Sequence, residues 1–137
     1  MIRLTLFLLM GVITSNLYAN CTTQYNKGVF EFNQALDLTK KIDTKNRDIF
    51  MEYFLDSKDK CQKLSQQQAL EKEAQLHINN AIRHYNKALE ICPGEHRDMI
   101  HDVLSQSHDV DAKIQKYDIK NHRRAREKFG CSSTGGR

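Results

Sequence analysis

Residues 74–94 read AQLHINNAIRHYNKALEICPG, and the apolar members Ala74, Ile78, Ala81, Ile82, Tyr85, Ala88, Leu89 and Cys92 recur three and four positions apart. That spacing lines them up on one face of a helix. Pro93 lacks an amide donor and Gly94 tolerates any backbone conformation, so the helix is expected to stop there. Pro93 is the only proline among 137 residues, and few windows alternate as a strand would. The chain therefore reads as all-α.

Working outward, a first helix is expected over about Thr23 to Lys41, with Val29, Phe32, Ala35, Leu36 and Leu38 on its apolar side. Asp43-Thr44-Lys45-Asn46 reads as the break that ends it. A second helix follows from Arg47 to about Leu64, using Ile49, Phe50, Tyr53, Phe54 and Cys61. Ser65 with Gln68 three residues on resembles a capping box that opens the central helix. Beyond Gly94, Met99, Ile100, Val103 and Leu104 begin another helix, Ser107 to Asp111 reads as a turn, and Ile114, Tyr117, Ala125 and Phe129 resume. Gly130 is the expected C-cap. This predicts four to five antiparallel helices, arranged as repeat-like hairpins or as a small bundle.

Three units follow from position and composition. Residues 1–19 carry Arg3, an apolar run from Leu4 to Ile13 and a small final Ala19, the pattern of a secretory signal too short to span a bilayer. Residues 20–130 form one helical domain, and the Ser- and Gly-rich residues 131–137 a flexible tail. Asn20 before Cys21 departs from the small residue that a lipoprotein signal needs, and Asn20-Cys21-Thr22 fits a glycosylation triplet in a host that uses one. The predicted location is secreted or periplasmic.

The cysteines Cys21, Cys61, Cys92 and Cys131 all follow the signal, and an even count in an oxidising compartment predicts two disulfides. An antiparallel hairpin of the first two helices would join Cys21 to Cys61. A chain that leaves Cys92 and returns at Cys131 would join the other two. The alternative of Cys61 with Cys92 requires the central helix to fold back near Leu76 to Asn79.

Residues Asn79 to Pro93 resemble the second helix of a tetratricopeptide (TPR) repeat, through Ala81, Tyr85, Ala88 and Pro93. In that pattern small residues let two helices approach and the aromatic fills the groove between them. Shifted by 53 residues, Gly28 to Leu38 echoes Ala81 to Ile91 with three identities. The family's first-helix positions fall on Ser65, Gln68, Ala69 and Lys72, of which only Ala69 conforms. The resemblance implies packing of helical hairpins and binding of peptides or proteins, and it assigns no binding residue here.

No nucleophile elbow, phosphate-binding loop or HExxH is present, and Asp109 with Asp111 do not share a helix face. His77 with His84 and His101 with His108 are each seven apart, about 10.5 Å along a helix and too far to share one ion. Cys92, His96 and His101 form no close-spaced ligand set either. No enzyme activity, cofactor or metal is expected. Residues 20–112 carry 12 basic against 15 acidic residues, whereas 113–137 carry eight against two. The cluster Lys116, Lys120, Arg123, Arg124, Arg126 and Lys128 is therefore a candidate contact for an anionic surface.

The functional expectation is an exported, non-catalytic helical protein that binds a protein or peptide partner, of unknown identity and oligomeric state. The alternative is a binder of an envelope surface or nucleic acid through the basic C-terminal helix. Mass spectrometry of the exported protein should find a 118-residue chain beginning at Asn20; retention of Met1 or a diacylglycerol on Cys21 would contradict the signal reading.

Overall fold

The computed structural model describes residues 2–51, 57–117 and 123–131, with side chains described for 19–44, 60–117 and 126–131. Four α-helices account for nearly all of it: α1 (Ile2–Met51), α2 (Ser57–Ile91), α3 (Arg97–Lys116) and α4 (Arg123–Phe129). A 3-10 turn at Gly94–His96 links α2 to α3.

The helices run up, down and up. Cys21 meets Cys92 and Glu31 meets His77, so α1 and α2 are antiparallel. Cys21, Tyr25, Met99 and Ile100 share a cavity at one end, and Asp43 meets Lys113 towards the other, so α3 lies parallel to α1. The core joins all three: Ala35, Leu38 and Ile42 from α1, Ala74, Ile78, Ala81, Tyr85 and Ala88 from α2, and Ile100, Leu104 and Ile114 from α3.

The buried positions of α2 are Leu64, Gln67, Glu71, Ala74, Ile78, Ala81, Tyr85 and Ala88, an unbroken alternation of three- and four-residue steps. Cys21, Gly28, Ala35 and Ile42 repeat every seven residues on α1, as Ile100, Ser107 and Ile114 do on α3. An average step of 3.5 keeps one seam facing its neighbours over many turns, the geometry of coiled-coil bundles.

α1 and α2 come close at Gly28. A β-carbon there would stand 2.5 Å from the Tyr85 ring, closer than any real contact. Tyr85 is 1% exposed and Tyr25 packs on it with ring centroids 5.8 Å apart. Burial with Tyr25 alongside pushes the Tyr85 hydroxyl up to about 12.

Three expected breaks are absent. Helix α1 runs through Asp43 to Asn46 as far as Met51. Asp, Thr and Asn each cost only about half a kcal/mol in a helix interior, less than the burial of Ile42 returns. The Thr44 hydroxyl donates back to the Lys40 carbonyl, and Asp43 accepts from Lys113 (2.8 Å) and Tyr117. The helix expected over Arg47 to Leu64 is consequently divided, residues 47–51 continuing α1 and 57–64 opening α2. Ser65 opens no helix, because α2 is continuous across it and across Leu76 to Asn79. Ser107 is no turn residue: it is fully buried in α3 and satisfies its hydroxyl on the Val103 carbonyl at 2.7 Å.

Pro93 ends α2 as expected, in an extended conformation that starts the 3-10 turn. Gly130 caps α4 with φ 65°; its amide donates to Glu127 and that of Cys131 to Arg126, the paired bonds of a Schellman motif.

There are two disulfides, but their pairing differs from expectation: Cys21 bonds Cys92 and Cys61 bonds Cys131, with α-carbons 4.8 and 5.5 Å apart. The Cys21–Cys61 expectation assumed a hairpin closing at Asp43. Because α1 continues, Cys21 lies opposite the far end of α2, and Cys61, near the start of α2, lies beside the end of α4. Closing loops of 71 and 70 residues, each bridge should contribute about 4 kcal/mol by restricting the unfolded chain. No helix among the described residues is long and apolar enough to cross a membrane.

Exchanging glycine for alanine in a helix interior ordinarily stabilises by about 1 kcal/mol. At Gly28 the clash with Tyr85 should cost about 1–3 kcal/mol and win. Gly28→Ala should therefore melt below the parent, and in a Tyr85→Ala background the same change should raise the melting temperature. A higher melting temperature for the single variant would refute the contact.

Candidate functional site

Along the α1–α2 seam, two side-chain pairs bridge the helices. Gln24 and Glu31 are two turns apart on α1, as are His84 and His77 on α2, and the antiparallel arrangement sets one pair at each level. His77 Nδ1 donates to the Glu31 carboxylate, and His84 Nδ1 meets the Gln24 Oε1 at 2.9 Å. Both histidines therefore work as helix-to-helix contacts. Among the described residues no three His, Cys, Asp or Glu side chains converge on a point that could hold a metal ion.

Beside His84 an open groove is lined by Thr23, Asn26, Lys27, Phe30, Glu31 and His84. Thr23, Asn26, Lys27 and Phe30 lie three, one and three positions apart, along one outer stripe of α1. Phe30 is 61% exposed, the most exposed of the large apolar side chains described. On α2, Arg83 precedes His84 and Lys87 lies one turn beyond it. Burial lowers the His84 pKa below 6.5, and the charges of Arg83, Lys27 and Lys87 lower it further against the opposing pull of Glu31. The imidazole is therefore neutral at pH 7, in a locally positive field.

A second, small cavity adjoins the Cys21–Cys92 bridge and is lined by Thr22, Tyr25, His96, Met99 and Ile100. His96 stands 3.6 Å from Glu95, while His101 and His108 are exposed on α3. Asp111 takes a hydrogen bond from Gln75 of α2, whereas Asp109 is exposed, so these two carboxylates do not share a task.

The residues singled out by sequence are dispersed. Ala81, Tyr85 and Ala88 are fully buried beneath the groove, and Pro93 is exposed at the end of α2. Of the basic cluster, Lys116 and Lys128 are exposed and Arg126 is half-buried, whereas the side chains of Lys120, Arg123 and Arg124 lie outside the described residues. The basic end is tied to α2 by Cys61–Cys131 and by Lys60, whose ammonium sits 4.8 Å from the Phe129 ring centroid.

Sequence reasoning passed over Lys27, Phe30, Arg83 and Lys87. A signal for them was present: residues 20–30 and 74–89 contain no acidic residue, in a body that is acidic on balance. Compared with protein-family models, with curated proteins and with solved structures, the chain matches none.

With His84 depressed in the native state, the unfolded chain takes up a proton first as pH falls below 6.5. Stability should thus be fully present above that pH and decline below it. An NMR titration should place the His84 midpoint below 6.5. His84→Gln should narrow the gap between urea midpoints measured at about pH 7.5 and about pH 5.5; an unchanged gap would contradict the assignment.

Proposed function

We propose that this chain is an exported, non-catalytic helical module that binds a protein or peptide partner on the outer face of α1 and α2. The observation that carries this reading is the open groove with Phe30 standing out of it, on a surface held by two disulfides and the Gly28–Tyr85 contact. An exposed aromatic side chain at the rim of a groove can anchor a partner that buries it. A rigid helix pair offers it with little ordering cost. The TPR-like element of this reading is the packing itself, in which Ala81, Ala88 and Gly28 admit the second helix and Tyr85 fills the crossing. Disulfides of this kind suit an oxidising compartment outside the cytosol.

The second reading places binding at the basic C-terminal end, which Cys61–Cys131 and the Lys60–Phe129 contact hold against α2. Its partner would be nucleic acid or an anionic envelope surface. A photo-crosslinking residue placed at Phe30, at Lys128 or at Gln106 on α3 distinguishes the two. In cells exporting the protein, a discrete protein adduct should form from position 30 alone. Adducts with nucleic acid or lipid from position 128 would favour the second reading, and none from position 30 would remove the first.

A further inference from the structure

Two facing segments of α1 and α2 carry cations and no acid. The α1 segment 20–30 holds Lys27 and no acid, and the α2 segment 74–89 holds Arg83 and Lys87 and no acid. These two segments pair across the seam at Gln24–His84 and Gly28–Tyr85; Lys27 and His84 line the groove, and Arg83 and Lys87 are exposed on α2 one and three positions from His84. Exposed acids lie outside these two segments, at Asp37 further along α1, Glu73 and Glu90 on α2, Glu95, Asp98, Asp102 and Asp109 on α3 and the turn before it, and Glu127 on α4. Within the groove the single carboxylate, Glu31, is already engaged by His77. Among the described residues Arg83 donates a long, exposed hydrogen bond to Asn80, 3.3 Å, from which its guanidinium can turn to a ligand at small cost.

We propose that the α1–α2 groove binds an acidic segment of a partner protein, its carboxylates meeting Lys27, Arg83 and Lys87 and one of its apolar side chains resting on Phe30. This rests on the partner-binding reading above and specifies its chemistry. A polypeptide fits better than a polyphosphate backbone for two reasons. The groove offers an apolar anchor and the amide and hydroxyl groups of Asn26 and Thr23, which suit peptide bonds. Glu31 in its wall would repel a continuous line of phosphates but is tolerated by a peptide whose charges are spaced. Each contact is exposed, so binding is weak per charge and sensitive to salt.

The test uses the full exported chain and two fluorescent ten-residue peptides. One has Asp and Glu flanking a central Leu-Phe pair; the other has Asn and Gln in their places. By anisotropy at low salt, the acidic peptide should bind about tenfold tighter than the neutral one, and the advantage should fade towards about 0.5 M salt. Lys27→Gln, Arg83→Gln and Lys87→Gln together should abolish the advantage, and these exposed positions leave the core untouched. Phe30→Ser should weaken both peptides. Lys116→Gln with Lys128→Gln should change neither; loss of binding in that variant would overturn the proposal in favour of the basic end.

Equal affinity for the two peptides, or no binding up to about 1 mM, would also overturn it. In that event a surviving crosslink from Phe30 would show that a partner docks there by other chemistry, and its absence would remove the binding reading as well. Sedimentation across protein concentration covers a further occupant. Self-association lost in the Lys27, Arg83, Lys87 triple variant would assign the groove to carboxylates of a second copy, and would overturn the proposal too.

Discussion

The contact between the Tyr85 ring and the bare backbone of Gly28 governs the rest of the bundle. With no β-carbon at residue 28, α1 comes close enough to α2 for the ring to be sealed from solvent. That approach sets the axial register of the two long helices. From it follow the opposition of Cys21 and Cys92 at one end and the pairing of Gln24 with His84 and Glu31 with His77 along the flank. Ala35, Ala74, Ala81 and Ala88 keep the spacing close along the seam. Small residues permit tight packing of backbones but each removes little apolar area from water.

A core so rich in alanine has a cost in hydrophobic stabilisation, and the disulfides offset it. Domains of this size bury a modest fraction of their surface, and covalent links are a common supplement. The bridges are placed where closure restricts most of the chain. Cys21–Cys92 ties α1 to the residue that follows α2, and Cys61–Cys131 ties the opening turns of α2 to the residue after the Gly130 cap of α4. The two loops overlap over residues 61–92 and together span residues 21–131. The short α4 is held besides by Phe129 beneath Lys60 and by its cap at Gly130.

Such a frame leaves its outer faces free to differ. One carries Phe30, Lys27 and His84 along the groove with Arg83 and Lys87 exposed near His84 in sequence, and α3 carries Asp98, Asp102 and Asp109 together with Arg97, Lys113 and Lys116. The polar bridges Asp43–Lys113, Asp43–Tyr117 and Gln75–Asp111 tie α3 to the other two helices. A stretch of surface without acids gives that face a local direction, which is what an electrostatically guided encounter needs.

By itself the sequence determined the all-helical class, the stop at Pro93, the cap at Gly130 and the presence of two disulfides. Each depends on local chemistry: a missing amide donor, a backbone free to adopt positive φ, an even count of cysteines. It also placed Ala81, Tyr85 and Ala88 on a single helix face. Where the chain reverses was decided by tertiary packing, because the weak helix preferences of Asp43, Thr44, Ser65 and Ser107 amount to fractions of a kcal/mol and yield to burial of Ile42, Leu64 and Leu104. The seven-residue repeat through Cys21, Gly28, Ala35 and Ile42 could have revealed a continuous α1, had Cys21, Gly28 and Ile42 been counted with Ala35 on its core face. The disulfide partners and the groove depended on that reversal. A cysteine or a lysine carries no record of what faces it, and the positive cluster of Lys27, Arg83 and Lys87 exists only once two distant segments are set side by side.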